Sequence, residues 1–262
     1  MSTVSRRTVL AGTAAAAAVA TAGVPASAGG KKTKPTIVLV HGAFADAAGW
    51  NGVLTRLIRA GHPVLAPANP LRGVASDSAY LASVLATITG PIVLAGHSYG
   101  GVVITNAALN NPNIKALVYV AAFAPAAGDD VYHLQTQFDG TELTLDALDF
   151  REHPGGVDGY VKRSYFHRVF AGDLPRADAD LLWATQRPGD SSTLQTPSGE
   201  PAWKTIPSYF LVARDDKLIP AQAQRFMAAR AKSKTTIEVR ASHVAHISQP
   251  RAVADLIERA AR

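Results

Sequence analysis

From Thr36 onward, short apolar runs alternate with stretches whose apolar residues recur every three or four positions. That rhythm predicts an α/β fold, a mostly parallel central sheet with helices on both faces. Ile37-Val38-Leu39-Val40 and Ile92-Val93-Leu94-Ala95 contain no polar residue, which suits strands covered on two sides. Between them Trp50, Val53, Leu54, Leu57 and Ile58 mark one face of a helix over 50–60, stopped by Gly61. Residues 63–66 read as a short strand, and Tyr80, Leu81, Val84, Leu85 and Ile88 line a helix over 76–89 with Ser76 as its cap. The same reasoning predicts helices over 100–109, 221–231 and 250–261, and strands over 114–120, 208–213 and 235–239. Over 126–204 the rhythm breaks. Histidines, acids and tryptophans collect there, with loops at Gly155-Gly156 and Pro188-Gly189, and the segment reads as a cap inserted into the sheet.

The chemistry concentrates where the strand at 92–95 meets the next helix, in Gly96-His97-Ser98-Tyr99-Gly100-Gly101. Glycines two residues before and two after a serine fit a turn too tight for side chains, which strains the serine backbone and exposes its hydroxyl. The N–H of Tyr99 then lies at the first turn of a helix, an oriented donor for negative charge developing nearby. A serine hydroxyl becomes a strong nucleophile only beside a base that another group orients. Candidate bases are His41, His97, His243 and His246; candidate acids are Asp215 and Asp216 after one strand, and Asp129 and Asp130 after another.

Composition narrows the setting. With 262 residues and 47% hydrophobic content, the chain suits one domain with a large core. It has no cysteine, which excludes disulfides, thiolate nucleophiles, cysteine-held zinc and a lipoprotein anchor. Ser5-Arg6-Arg7-Thr8-Val9-Leu10, an alanine-rich run, and Ala26-Ser27-Ala28 resemble a twin-arginine export signal over 1–28 with a small-residue cleavage site, so the mature chain is expected to begin near Gly29 and to be secreted. The formal charge of +6 falls to about +4 without Arg6 and Arg7, and to about +1 without Lys31, Lys32 and Lys34 as well. No basic face remains to attract nucleic acid.

Over 29–262 the chain resembles the α/β-hydrolase family. The likeness rests on His41-Gly42-Ala43-Phe44 after the first strand, the Ser98 turn, Arg214-Asp215-Asp216-Lys217-Leu218-Ile219-Pro220 and Ala241-Ser242-His243-Val244-Ala245-His246, in the family's order of nucleophile, acid and histidine. It is greatest to the small-capped group of plant methylesterases, hydroxynitrile lyases, pyrethroid-type esterases and bacterial perhydrolases. The resemblance implies Ser98 as nucleophile, His243 as base and Asp216, four residues before Pro220, as acid, with Asp215 and then Asp129 or Asp130 as alternatives. It also implies an oxyanion hole from the N–H groups of Ala43 and Tyr99, with His41 and His97 supporting strand ends. Phe44 and Tyr99 are expected to touch substrate, with Trp50, Phe123, Phe138, Phe166, Phe170, Trp183 and Trp203 as further candidates. The implied activity is hydrolysis of a small-molecule ester through an acyl-enzyme, with no cofactor and no metal; His243 and His246 alone would make a poor metal site. Perhydrolase chemistry is the alternative, and a non-catalytic binding protein on the same fold is the alternative of another kind. A hydroxynitrile lyase would have threonine at Gly42 and lysine at Val244. The segment 126–204 is expected to select substrate and take no part in the chemistry.

Overall fold

The computed structural model describes residues 33–262; the expected export signal lies outside the described residues. In chain order come β1 (Thr36–Val40), α1 (Asn51–Arg59), β2 (Val64–Leu65), α2 (Val74–Ala86), β3 (Ile92–Ser98), α3 (Gly100–Ala107) and β4 (Ile114–Ala122). Then follow α4 (Val131–Thr136), β5 (Leu148–His153), β6 (Gly156–Val161), α5 (Arg163–Val169), α6 (Arg176–Ala184), β7 (Gly189–Asp190) and α7 (Ser192–Gln195). The chain closes with β8 (Ser208–Ala213), α8 (Ala221–Arg230), β9 (Thr235–Val239), α9 (Ala245–Ser248) and α10 (Pro250–Ala260).

Six strands form one parallel sheet in the order β2-β1-β3-β4-β8-β9. Side chains alternate across it. Ile37, Leu39, Val93 and Ala95 face α1 and α10, packing with Val53, Leu57, Val253 and Ile257. Val38, Val40 and Leu94 face the other way, toward Leu81 of α2, Val103 of α3 and Met227 of α8. Both faces are dry, which is why the strands carry no polar alternation. From β1 the chain runs outward to β2 and then returns to β3 on the opposite side, so the carboxyl ends of β1 and β3 flank a switch point, where open α/β sheets bind ligands.

Two local expectations are corrected. The helix expected from Ser76 begins at Val74, with Gly73 at its N-terminal boundary, and Asp77 accepts from the N–H groups of Arg72 and Gly73 at 3.0 and 3.4 Å. Ser76 merely donates back to the Gly73 carbonyl. Trp50 closes a 3-10 turn over Ala47–Trp50, capped by Asp46, and α1 starts one residue later.

Between β4 and β8 the chain builds a second, antiparallel sheet ordered β5-β6-β7, with α4 to α7 around it. Its strands escaped the apolar-run criterion because β5 is mostly exposed and reads Leu-Asp-Phe-Arg-Glu-His.

Candidate active site

Ser98 ends β3 in a left-handed conformation, φ 55°, a strained geometry for a residue with a Cβ. The sequence allows it by clearing its surroundings. A Cβ on Gly96 would stand 2.6 Å from the Gly100 carbonyl oxygen, and one on Gly100 would stand 2.5 Å from that of Val40. The hydroxyl therefore projects from the sheet while α3 starts at once behind it.

His243 follows β9 and is fully buried. Its Nε2 accepts from the Ser98 hydroxyl at 2.8 Å, and its Nδ1–H donates to Asp216 Oδ2, also at 2.8 Å. This is the neutral tautomer able to receive the serine proton. Asp216, just past β8, is itself nearly inaccessible. Its Oδ1 accepts from the N–H groups of Leu218 and Ile219 at 2.8 and 2.9 Å, and its Oδ2 also accepts from Gln224 Nε2 at 2.9 Å. A buried carboxylate with every lone pair occupied holds its orientation. Gln224, on α8, was not foreseen. It also bonds the Ala213 N–H and the Ile219 carbonyl, and its only advance signal was a position in the first turn after Pro220.

The alternative acids lie elsewhere. Asp215 is more than half exposed and pairs with Arg240 at 3.5 Å. Asp129 pairs with Arg230 at 2.7 Å, and Asp130 caps α4.

Beside Ser98, the N–H groups of Ala43 and Tyr99 carry no backbone hydrogen bond among the described residues. The loop bearing Ala43 is fixed on both sides. Phe44 N–H donates to the Arg187 carbonyl at 2.9 Å, and His41 Nε2 accepts from Asn69 N–H while the Asn69 amide donates to the His41 carbonyl. A Cβ on Gly42 would lie 2.6 Å from Ser98 Cβ, so the threonine of a hydroxynitrile lyase has no room here.

Behind the base stands a column of buried rings. His97 Nε2–H donates to the His243 carbonyl at 2.9 Å, and ring centroids run His243–His97 4.7 Å, His97–His246 4.1 Å and His246–Trp50 4.7 Å. Burial favours the neutral forms of His41, His97 and His246. It lowers His41, pushes His97 well below the usual imidazole value, and brings His246 down to about 3.

An apolar cleft opens over Ser98, lined by Phe44, Tyr99, Phe123, Leu148, Phe150 and Leu218. Its volume is about 40 Å3, room for a few waters at roughly 10–15 Å3 each. Trp50, Trp183 and Trp203 do not reach it. Trp50 lies in the core on the α1 side, while the indoles of Trp183 and Trp203 donate to the carbonyls of Val161 and Pro125. The segment 126–204 also packs against the base and its neighbour. Phe170 packs its ring 5.1 Å from that of His243, and Asp173 accepts from the hydroxyl of Ser242.

Ligand atoms of His153, Asp158 and Asp190 lie within 4.8 Å of one another. Arg72 bonds two of them, 2.6 Å from Asp158 Oδ1 and 3.0 Å from His153 Nε2, so the cluster is an ion-pair clamp joining the loop before α2 to the second sheet. Burial opposes charge on Asp190, but bonds from Ser192 and His153 outweigh it and hold its carboxyl below the usual range.

The fold is that of a hydrolase, and the chain belongs to the alpha/beta hydrolase family, whose profile matches residues 37–256. It is similar to the pyrethroid hydrolase of Sphingobium wenxiniae, 28% identical with 86% of this chain and 87% of that protein covered. Methylesterase 8 of Arabidopsis thaliana is 25% identical over 85% of this chain and 88% of that protein. Among solved structures, polyneuridine aldehyde esterase shares the fold with a TM-score of 0.73 at 20% identity, covering 86% of this chain and 98% of that one.

Proposed function

We propose that this chain is an exported serine hydrolase that cleaves carboxylic esters of small, largely uncharged molecules through an acyl-enzyme. The observation that carries the reading is the continuous relay from Ser98 Oγ to His243 to Asp216, each step 2.8 Å, with two amide donors beside the serine that have no backbone partner among the described residues. His243 Nε2 takes the Ser98 proton as Oγ bonds to the ester carbon. The carbonyl oxygen gains negative charge opposite the N–H groups of Ala43 and Tyr99, and the imidazolium is steadied by Asp216. Collapse of the intermediate breaks the ester C–O bond, and His243 returns the proton to the leaving alcohol. Water then repeats the sequence, releasing the acid and free Ser98. An apolar wall around the nucleophile favours substrates without charge, and the relatives named for pyrethroid and methyl-ester hydrolysis support the ester reading.

A serine-directed phosphonate tests this. It is expected to label Ser98 and to abolish turnover of p-nitrophenyl esters, while Ser98→Ala takes up no label and hydrolyses no ester. Label on another residue of the folded protein would refute the reading. Export is supported by Arg6-Arg7 and Ala26-Ser27-Ala28. Replacing both arginines by lysine is expected to retain the full-length protein inside the cell, seen by immunoblot of cell and medium fractions; unchanged secretion would contradict the twin-arginine route.

A further inference from the structure

Asp77 is a fully buried carboxylate on the first turn of α2. Its hydrogen bonds among the described residues come from the N–H groups of Arg72 and Gly73 and from the hydroxyl of Tyr99, which donates to Oδ2 at 2.9 Å. None comes from a charged group. Burying a carboxylate on neutral donors alone is costly. The Tyr99 hydroxyl is the bond that capping does not explain.

Tyr99 occupies a mechanically sensitive place. Its peptide link joins it to Ser98, whose own backbone is held in the left-handed region. The same peptide carries the Tyr99 N–H beside the serine. The ring lines the cleft with only 3% of the residue exposed, and burial together with the nearby Asp77 charge raises the phenol far above its usual range, so it remains a donor.

We propose that Asp77 is a positioning residue for oxyanion stabilisation: by holding the Tyr99 hydroxyl it fixes the Tyr99 side chain, and with it the 98–99 peptide whose N–H faces the reacting carbonyl. This rests on the serine-hydrolase reading above. Asp77 touches no reacting atom and acts only through Tyr99. Losing an oxyanion donor outright costs roughly 10²–10³ in kcat; a donor that is kept but loosened costs less.

The test uses the full chain and four variants. Tyr99→Phe keeps the amide and removes the tether. It is expected to lower kcat roughly 10- to 100-fold with KM within about threefold, and to weaken a trifluoromethyl ketone inhibitor by the same factor as kcat/KM, since that ketone's adduct oxygen sits where the oxyanion forms. Active-site titration normalises for folded enzyme, so a purely structural loss would lower Tm and active fraction but leave the inhibitor constant unchanged. Asp77→Asn retains an acceptor for the hydroxyl and is expected to recover most of the activity that Asp77→Ala loses. Combining Tyr99→Phe with Asp77→Ala should be no worse than Asp77→Ala alone. If Asp77→Ala does not fold, Tyr99→Phe decides by itself. Wild-type kcat and inhibitor affinity in Tyr99→Phe would overturn the proposal. Turnover surviving in Ser98→Ala would instead overturn the serine-hydrolase reading, so the two failures are distinguishable.

Discussion

Asp215 and Asp216 follow the same strand and face opposite ways, one toward solvent and Arg240, the other toward a buried imidazole. Asp216→Asn keeps the shape but presents an amide N–H or the wrong acceptor to His243 Nδ1, favouring the unproductive tautomer. Turnover of p-nitrophenyl acetate is expected to fall about 10⁴-fold, whereas Asp215→Asn should change it by less than about twofold, because an exposed ion pair contributes little. Equal effects would remove Asp216 from its assigned place. The family resemblance pointed to Asp216 through its spacing to Pro220, and the flanking glycines pointed to Ser98. Gln224 was not legible, since a glutamine on a helix has no motif; its function appears only when β8 and α8 bring the Ala213 amide and the Asp216 carboxylate to its two ends.

Among elements, the central strands announced themselves because a sheet covered on two faces must be apolar throughout. The second sheet did not, for the converse reason: β5 and β6 are partly wet and carry Asp149, Arg151, Glu152 and Asp158. Tryptophan in that segment suggested a substrate wall, yet both indoles face carbonyls away from the serine. The wall is made by Leu148 and Phe150 on β5. Phe150→Ala, half-exposed and cheap to truncate, is therefore expected to shift kcat/KM among acetate, butyrate and octanoate esters by roughly five- to tenfold, an amount within the ~1–3 kcal/mol range for hydrophobic pocket contacts. Trp183→Ala should lower Tm and leave those ratios alone. If the tryptophan changes the ratios and Phe150 does not, the cleft has been misassigned.

For the molecule as a whole, the ring column sets a limit on acid tolerance. His97 and His246 stay neutral when folded because burial lowers them, His246 to about 3, whereas the unfolded chain protonates its histidines near 6.5. Protons thus bind the unfolded state first, and stability present above pH ~6.5 is lost as pH falls, for His246 down to about 3. Each such group removes up to about 1.4 kcal/mol per pH unit. Between pH 6.5 and 4.5, above the carboxylate range, Tm of the wild type is expected to decline, and His246→Phe should flatten the slope by one proton's worth. Parallel curves would show that His246 does not contribute.

The hydrogen bond that the Phe44 N–H donates to the Arg187 carbonyl ties the loop that presents Ala43 to the chain just before β7. Gly189 and Asp190, just beyond Arg187, line the cleft over Ser98, so a substrate that pushes this wall outward is expected to pull on the Ala43 loop as well.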